Sequence, residues 1–356
     1  MGVNDMTRFD ASTMAWMVRD HEERVSHLTY LGEDLAVGGW DGRIRIHDAD
    51  GGELLDVRGP DRIVGFEGTR DRMVAASGRD IVCVRGGAVT WTTELEGSAD
   101  AIRLTEEGFL AISSVYDIEH LDFMESTIWL LDDGGEVLER TTIDERPWYV
   151  GMDPICLALG RPRGGWLSRS NGAWMHHPGL NDAPIIDGVS IDGGHILLHA
   201  DGRWSHPSHP DRSSDATPSN PVGIVAVDTG FLIIEEGANV SLLNEYGKVL
   251  WTLGTEATWA NCSPGPVLGA TPTIWASHPV GLEVRSATDG SRIAILETRS
   301  AVTTLANGTG RIALGTEGGE VMVFEAGMFQ RHLERPQEPI DDRMAEMKAR
   351  LRALRG

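Results

Sequence analysis

Short apolar runs separated by glycine-rich turns recur along the chain at intervals of about 40 residues. One unit reads DLAVGGWDGRIRIHDADGGELL from Asp34, and another reads RMVAASGRDIVCVRGGAVTW from Arg72. Later units begin at Phe231 and Arg311. Apolar runs of this length predict β-strands, and turns of the Asp-Gly type predict tight hairpins. Each unit therefore predicts three antiparallel strands, with a further short strand ahead of it.

Four antiparallel strands in about 40 residues are typical of one blade of a β-propeller. We therefore predict an all-β fold with eight blades. The blades are expected near residues 25–60, 61–97, 98–144, 145–184, 185–220, 221–257, 258–300 and 301–326. Residues 145–220 are poorly patterned, so seven blades with one large insertion are the alternative. The last unit holds only three strands, and we expect residues 14–18 to supply its fourth, because ring closure removes the open sheet edge.

The first repeat resembles those of the WD40 family. Asp20-His21 stands where that family has Gly-His, and Gly39-Trp40-Asp41-Gly42 matches its turn before the third strand. His47 takes the place of the family's tryptophan. The resemblance covers residues 14–326 and implies that His21, Asp41 and His47 form a structural hydrogen-bond network. Most other repeats lack these residues, so the chain is a divergent relative, and a propeller of the PQQ-like repeat type is the alternative.

The net charge of the chain limits the classes of partner that it is expected to bind. The 356 residues include 54 acidic and 31 basic side chains, a net charge of −23. So negative a surface repels phosphate backbones and anionic lipids, which argues against nucleic-acid and membrane binding. The three cysteines are widely spaced, and no apolar run is long enough for a signal peptide or a membrane helix. We therefore expect a cytoplasmic protein.

Candidate catalytic chemistry is sparse. The sequence contains no nucleophile-elbow, zinc-protease, P-loop or dinucleotide-binding motif, which favours a non-enzymatic function without a cofactor. Histidines are the exception, because imidazoles on one strand face can bind zinc or another transition metal. The weak metal candidates are His195, His199, His206 and His209. The alternative is a surface loop, since the run from His206 to Pro221 is rich in proline and serine.

Aromatic residues in predicted loops are the candidates for partner binding. Exposed tryptophans are frequent binding hot spots. Trp40 lies in a turn, Trp148 and Trp259 lie near connections between blades, and all three loops are expected on one face. Tyr149 follows Trp148, and Phe123 lies in an acidic insertion predicted at 115–126. The alternative is that these tryptophans pack between neighbouring blades and that the insertion is merely solvated.

The C-terminal segment departs from the repeat. Its apolar residues follow a 4, 3, 4, 3 spacing, which predicts one face of an amphipathic helix over 340–355. The stripe consists of Ile340, Met344, Met347, Leu351 and Leu354. We predict a linker over 327–339 and a flexible N-terminus over 1–13. The helix is expected to dock on its own propeller, on a second copy or in a partner's groove.

These patterns favour a non-enzymatic scaffold that binds a protein partner through one loop face and the C-terminal helix. The alternative is an enzyme, or a propeller of the PQQ-like type that binds a small ligand or a metal through its central channel. Propellers host both classes of function, so the fold alone does not separate them.

Overall fold

The computed structural model describes residues 8–119, 122–179, 182–214, 220–237, 239–278 and 281–335. These described residues form an eight-bladed β-propeller with two short helices. The first strands of neighbouring blades contact one another, so these strands surround the central axis. Later strands of each blade follow outward in order. The predicted all-β propeller is confirmed, and the seven-bladed alternative is wrong.

The first half of the chain forms blades 1 to 4. It begins with β1 (Arg8–Asp10), α1 (Ala11–Met14) and β2 (Met17–Asp20). Blade 1 consists of β3 (Val25–Leu31), β4 (Asp34–Gly39), β5 (Arg43–His47) and β6 (Glu53–Arg58). Blade 2 consists of β7 (Ile63–Thr69), β8 (Arg72–Ser77), β9 (Asp80–Arg85) and β10 (Ala88–Glu94). Blade 3 consists of β11 (Ser98–Thr105), β12 (Gly108–Asp117), β13 (Asp122–Leu131) and β14 (Val137–Ile143). Blade 4 consists of β15 (Pro147–Gly151), β16 (Cys156–Leu159), β17 (Trp166–Ser170) and β18 (Ala173–His177).

The second half forms blades 5 to 8 and a helix. Blade 5 consists of β19 (Ile185–Ile191), β20 (Gly194–His199) and β21 (Trp204–Ser205). Blade 6 consists of β22 (Pro221–Val227), β23 (Gly230–Glu235), β24 (Asn239–Leu243) and β25 (Val249–Gly254). Blade 7 consists of β26 (Asn261–Leu268), β27 (Thr271–His278), β28 (Gly281–Ser286) and β29 (Arg292–Glu297). Blade 8 contains β30 (Val302–Gly308), β31 (Arg311–Thr316) and β32 (Glu320–Glu325), and α2 (Ala326–Glu334) follows it.

Burial explains the sequence pattern of the blades. The second strands, such as β8, are buried along almost their whole length, because neighbouring blades cover both of their faces. The sequences of such strands are continuous apolar runs. The outer strand β25 alternates between exposed and half-buried residues instead, because only one of its faces packs against protein.

The ring closes as predicted, with a shifted boundary. Strand β2 pairs with β32, with Met17 opposite Val323, and so completes blade 8. The predicted strand at 14–18 begins too early, because Asp10 caps α1 by accepting a hydrogen bond from the Ser12 amide. Strand β1 joins the rim of blade 7 in parallel with β29. Residues 8–13, predicted as flexible, therefore form a strand and most of a helix.

A second difference follows blade 8. The predicted linker over 327–339 is helical as far as Glu334. The Glu325 carboxylate accepts hydrogen bonds from the Gly327 and Met328 amides, which satisfies free donors at the start of α2. Phe329 is fully buried and anchors the helix. The predicted helix over 340–355 lies outside the described residues.

Blade 5 accounts for the weak repeat pattern before Pro221. Its third strand has only two residues, Trp204 and Ser205. Within the described part of blade 5, the pairing beyond this strand is a single bridge between Ser205 and Ser213. Two prolines, Pro207 and Pro210, fall between these positions, and proline has no amide proton for a strand ladder.

Candidate functional site

Because consecutive strands of each blade are antiparallel, the loops that connect them lie alternately on two sides of the ring. The upper face carries the loops between second and third strands and the connections between blades, such as 40–42 and 144–146. The lower face carries the turns between first and second strands and between third and fourth strands. The upper face brings together two groups of aromatic and arginine side chains.

Trp40 is the centre of the first group. It lies in the turn between β4 and β5, and its side chain is 44% exposed. The guanidinium carbons of Arg24 and Arg62 lie 4.6 Å and 4.5 Å from the centroid of its ring. The Trp40 amide also donates to the Arg24 carbonyl at 2.9 Å. These contacts hold an exposed indole in a defined orientation through cation–π attraction.

The turn beneath Trp40 is fixed by Asp41. Its carboxylate accepts a hydrogen bond from the Arg43 amide at 3.1 Å and forms an ion pair with Arg58. Partial burial favours the neutral acid, but the hydrogen bonds from Arg58 and the Arg43 amide prevail and lower the pKa of Asp41. The turn therefore keeps a charged carboxylate under the indole.

The network implied by the WD40 resemblance is divided in two. His21 and His47 contact each other, with their Nε2 atoms 3.3 Å apart. Asp41 instead bonds to Arg58 and to the Arg43 amide. Because a histidine replaces the family's tryptophan at position 47, an imidazole pair forms where a single network including the turn aspartate was expected.

Trp148 and Phe123 form the second group around one arginine. The guanidinium carbon of Arg146 lies 4.0 Å from the Phe123 ring centroid and 4.7 Å from the Trp148 ring centroid. Arg146 Nη2 donates to Asp100 Oδ1 at 3.2 Å, which holds the guanidinium in place. Trp148 is 47% exposed, so its indole is anchored on one side and accessible on the other.

The segment predicted as an insertion loop at 115–126 is mostly strand. Strands β12 and β13 continue pairing past the level of Ser114, and Tyr116 lies opposite Phe123. Their rings pack edge to face with centroids 5.2 Å apart. Ile118 and Met124 are exposed on the same hairpin. The paired strands therefore present apolar side chains near Trp148.

A cavity of about 440 Å³ opens beside Trp148. Its apolar lining comes from Phe123, Trp148, Pro162, Pro184, Ile185 and Ile186. The loop on one side is held by Glu145, which is buried and accepts two hydrogen bonds of 2.9 Å from Arg163. Gly160 leaves room for the indole, since a Cβ there would lie 2.5 Å from Trp148 Nε1.

Two predicted partner-binding residues lie elsewhere. Trp259 is only 3% exposed and packs in the core with Leu232 and Ile274, so its assignment to an exposed loop is wrong. The Tyr149 hydroxyl bonds to Ser190 and His195 between blades 4 and 5. Burial raises the pKa of Tyr149 to about 12. Since strand side chains alternate, an outward Trp148 turns its neighbour Tyr149 inward.

His195 and His199 have their ring nitrogens engaged within the protein. His195 Nε2 lies 2.7 Å from the Pro154 carbonyl oxygen, and its Nδ1 bonds to the Tyr149 hydroxyl. His199 bonds to the Ala183 carbonyl and to Ser205 Oγ. Burial lowers the pKa of both histidines. Both side chains are therefore neutral hydrogen-bonding groups of blade 5.

His206 and His209 pack ring against ring, with centroids 4.6 Å apart. Burial, together with the neighbouring His209, lowers the pKa of His206 to about 4. Among the residues that the structure describes, no group of three or more histidine, cysteine or acidic side chains is placed to hold a metal. The metal site considered from the sequence thus has no geometric support there.

The sequence did not reveal the arginines of the upper face. Arg24, Arg62 and Arg146 lie in different blade connections and come together with tryptophans only in the folded ring. An available signal was the sequence spacing of Arg146 and Trp148, which places both side chains on the same side of an extended segment.

Comparisons with known proteins find solved structures of similar fold but no matching family or curated protein. No protein-family model matches the chain, and no curated protein matches it. Similar solved structures include BamB from Moraxella catarrhalis, with a TM-score of 0.67, 14% identity, and coverage of 87% of this chain and 99% of that one. The WD40 β-propeller domain of Doa1 has a TM-score of 0.52, 14% identity, and coverage of 87% and 96%.

BBS1N, solved in complex with ARL6DN, has a TM-score of 0.54, 13% identity, and coverage of 88% of this chain and 96% of that one. At such identities the likeness concerns the fold alone. The predicted likeness to WD40 propellers is thereby confirmed at the level of fold. Among the described residues, no helix has the length and apolar character needed to cross a membrane.

Proposed function

We propose that this protein is a non-enzymatic scaffold that binds a protein partner through its upper face. The observation that carries the proposal is the pair of exposed tryptophans, Trp40 and Trp148, each stacked against arginine on the same side of the ring. Tryptophan and arginine are the residues most enriched at binding hot spots.

Preorganisation strengthens this interpretation. Binding normally costs the free energy of ordering side chains at the interface. The Trp40 and Trp148 rings are already held by guanidinium groups, and Arg146 is itself held by Asp100. Less ordering therefore remains for a partner to impose than on a surface of free side chains.

The cavity beside Trp148 supplies the shape that a partner side chain needs. Apolar walls from Phe123, Pro162 and Ile186 surround it, and Arg146 lies at its edge. An apolar side chain of the partner would be buried there against aromatic and proline rings. Trp40 provides a second, separate anchor, so the contact extends across several blades.

Solved structures of similar fold support a scaffold in general terms. BBS1N, which has this fold, was solved in complex with ARL6DN. That complex concerns BBS1N, and for this chain it supports only the class of function. The choice of the upper face rests on the side chains described above.

Capture from native lysate tests the proposal. The wild-type chain and the double variant Trp40→Ala/Trp148→Ala are compared with Leu250→Ala, whose side chain lies on the outer strand β25 and is equally exposed at 46%. We expect a specific partner to be retained by wild type and by Leu250→Ala and lost by the double variant. Equal retention by the double variant would contradict the proposal.

Gly160→Ala is a finer test, because it leaves both tryptophans in the sequence. The added methyl group would meet the Trp148 indole and shift it. Capture should weaken if the position of the indole matters. A partner that binds this variant as wild type would limit the interface to Trp40 and its neighbours.

A further inference from the structure

A large cavity opens on the lower face. It has a volume of about 830 Å³ and lies between blades 5, 6 and 7. Its apolar surface comes from Ile191, Ala226, Val227 and Pro264. We call it the lower groove. It is separate from the tryptophans of the upper face.

Acidic residues border the lower groove. Asp192 and Asp228 lie in turns between first and second strands, and Glu245 lies in the turn before β25. All three are exposed, and in the part of the chain that the structure describes none has an ion pair or a side-chain hydrogen bond. The groove thus combines an apolar floor with uncompensated negative charge.

The turn between the first and second strands contains an acidic residue in each of the first six blades, although in blade 2 this residue is paired with Arg70. The acidic residues are Glu33, Asp71, Glu106, Asp153, Asp192 and Asp228. Blades 7 and 8 have Gly269-Ala270 and Thr309-Gly310 at the corresponding positions. In these turns the acidic residues therefore end at blade 6, although Asp289 lies in the turn between the third and fourth strands of blade 7.

Helix α2 lies beside the two blades that lack an acidic residue between their first and second strands. It follows the third strand of blade 8, and the Phe329 ring packs 5.0 Å from the Trp275 ring of blade 7. Gln330 lies beside the Gly269 turn, within 3.7 Å of the position of an added Cβ. The described helix therefore lies on the lower face next to blade 7, whose Pro264 lines the groove.

The segment that follows complements the groove in both charge and polarity. Its stripe, from Ile340 to Leu354, is apolar at helical spacing. From Ala345 onward it has four basic residues and one acidic residue, on a chain whose net charge is −23. As a helix, residues 340–355 would be about 24 Å long. An isolated helix of this length is only marginally stable in water and gains from docking.

We propose that residues 340–355 dock in the lower groove of their own propeller. The apolar stripe contacts the floor at Ile191, Val227 and Pro264, while the basic residues face Asp192, Asp228 and Glu245. The chain thereby covers the lower groove and leaves the upper face open. This docking does not depend on the proposed partner interface.

Tryptic cleavage of the full-length chain at low ionic strength tests the docking. Mass spectrometry follows cleavage after Lys348 and Arg350 in three forms: wild type, the groove variant Asp192→Asn/Asp228→Asn/Glu245→Gln, and a matched variant Glu33→Gln/Asp71→Asn/Glu106→Gln in blades 1 to 3. Removal of three favourable charges should accelerate cleavage about tenfold in the groove variant. The matched variant should be cleaved as wild type.

A second variant tests the stripe without altering the propeller. Met344→Asp, four residues ahead of the first cleavage site, places a charge on the apolar floor and should also accelerate cleavage. Equal cleavage rates in wild type, the groove variant and Met344→Asp would overturn the proposal. Protection that rises with protein concentration and is insensitive to the groove variant would overturn it too, since it would indicate pairing between two copies.

Discussion

The imidazole rings of His21 and His47 meet edge to face, with centroids 5.4 Å apart and Nε2 atoms separated by 3.3 Å. His21 directly follows β2, the strand that closes the ring, and His47 ends β5 of blade 1. The contact thus joins the closing strand to the first blade. One imidazole donates and the other accepts, which requires at least one neutral ring.

Acid should weaken the fold through two buried histidines, His21 of this pair and His27 of blade 1. Burial, with a contribution from nearby Arg45, lowers the pKa of His21 to about 3, and burial also lowers the pKa of His27 to about 4. In the unfolded chain both titrate near 6.5. Their contribution to stability is complete above pH 6.5 and is lost as the pH falls toward the folded pKa values, because the unfolded state then binds more protons.

The measurement is the urea midpoint at pH 7.5 and pH 5.0. We expect a clear fall for wild type and a smaller fall for His21→Gln, which removes one titrating group. His176→Gln is the control, since His176 is exposed. A wild-type midpoint that is constant between these pH values would refute this account of the buried histidines.

Closure of the ring by β2 predicts that substitutions at two neighbouring positions of this strand differ in their effect on stability. Met17 is buried against Val25 and Val323, whereas its neighbour Val18 is 37% exposed. Met17→Ala should lower the free energy of unfolding by about 2–5 kcal/mol, the usual cost of truncating a buried side chain to alanine. Val18→Ala on the same strand should cost less than about 0.5 kcal/mol. Chemical denaturation checks both, and equal effects would show that β2 does not close a packed blade.

Alanine substitutions of the buried Trp259 and the exposed Trp148 should differ in their effect on stability. Trp259→Ala should destabilise the protein by about 3–5 kcal/mol, because Trp259 lies in the core of blades 6 and 7. Trp148→Ala should change stability far less, since half of its side chain is exposed. Thermal denaturation measures this difference. A Trp148→Ala variant as unstable as Trp259→Ala would place Trp148 among the packing residues instead.

Helix α2 should stabilise blades 7 and 8 through one side chain. The Phe329 ring packs between Trp275 and Phe324, with centroids 5.0 Å and 5.9 Å away. Phe329→Ala should therefore cost about 3–5 kcal/mol. Gln330→Ala on the next position is the control, with little expected change. If both variants unfold at the wild-type denaturant concentration, α2 contributes nothing to the ring.

The fold was predictable because each blade repeats a local pattern. Strands such as β8 are covered on both faces and read as apolar runs between glycine turns. The start of α1 was less predictable, since the helix depends on a cap at Asp10 and on burial of Ala11 against blades 7 and 8. A single capped turn of four residues leaves no periodic signal.

The candidate site was predictable only in part. Trp148 and Trp259 both lie near connections between blades, yet one is exposed and the other is buried. The difference arises from the neighbouring blades, which cover Trp259 with Leu232 and Ile274. Such contacts join residues distant in sequence, so the spacing within a repeat does not reveal them.

Hydrogen–deuterium exchange of the chain with its captured partner tests the central claim most directly. The upper-face segments 40–42 and 144–148 are compared with the lower-face turns 132–136 and 244–248 in the free and bound protein. Our account predicts slower exchange on the upper face alone, and loss of that protection in Trp40→Ala/Trp148→Ala. Protection confined to the lower-face turns, with unchanged exchange around Trp40 and Trp148, would contradict it.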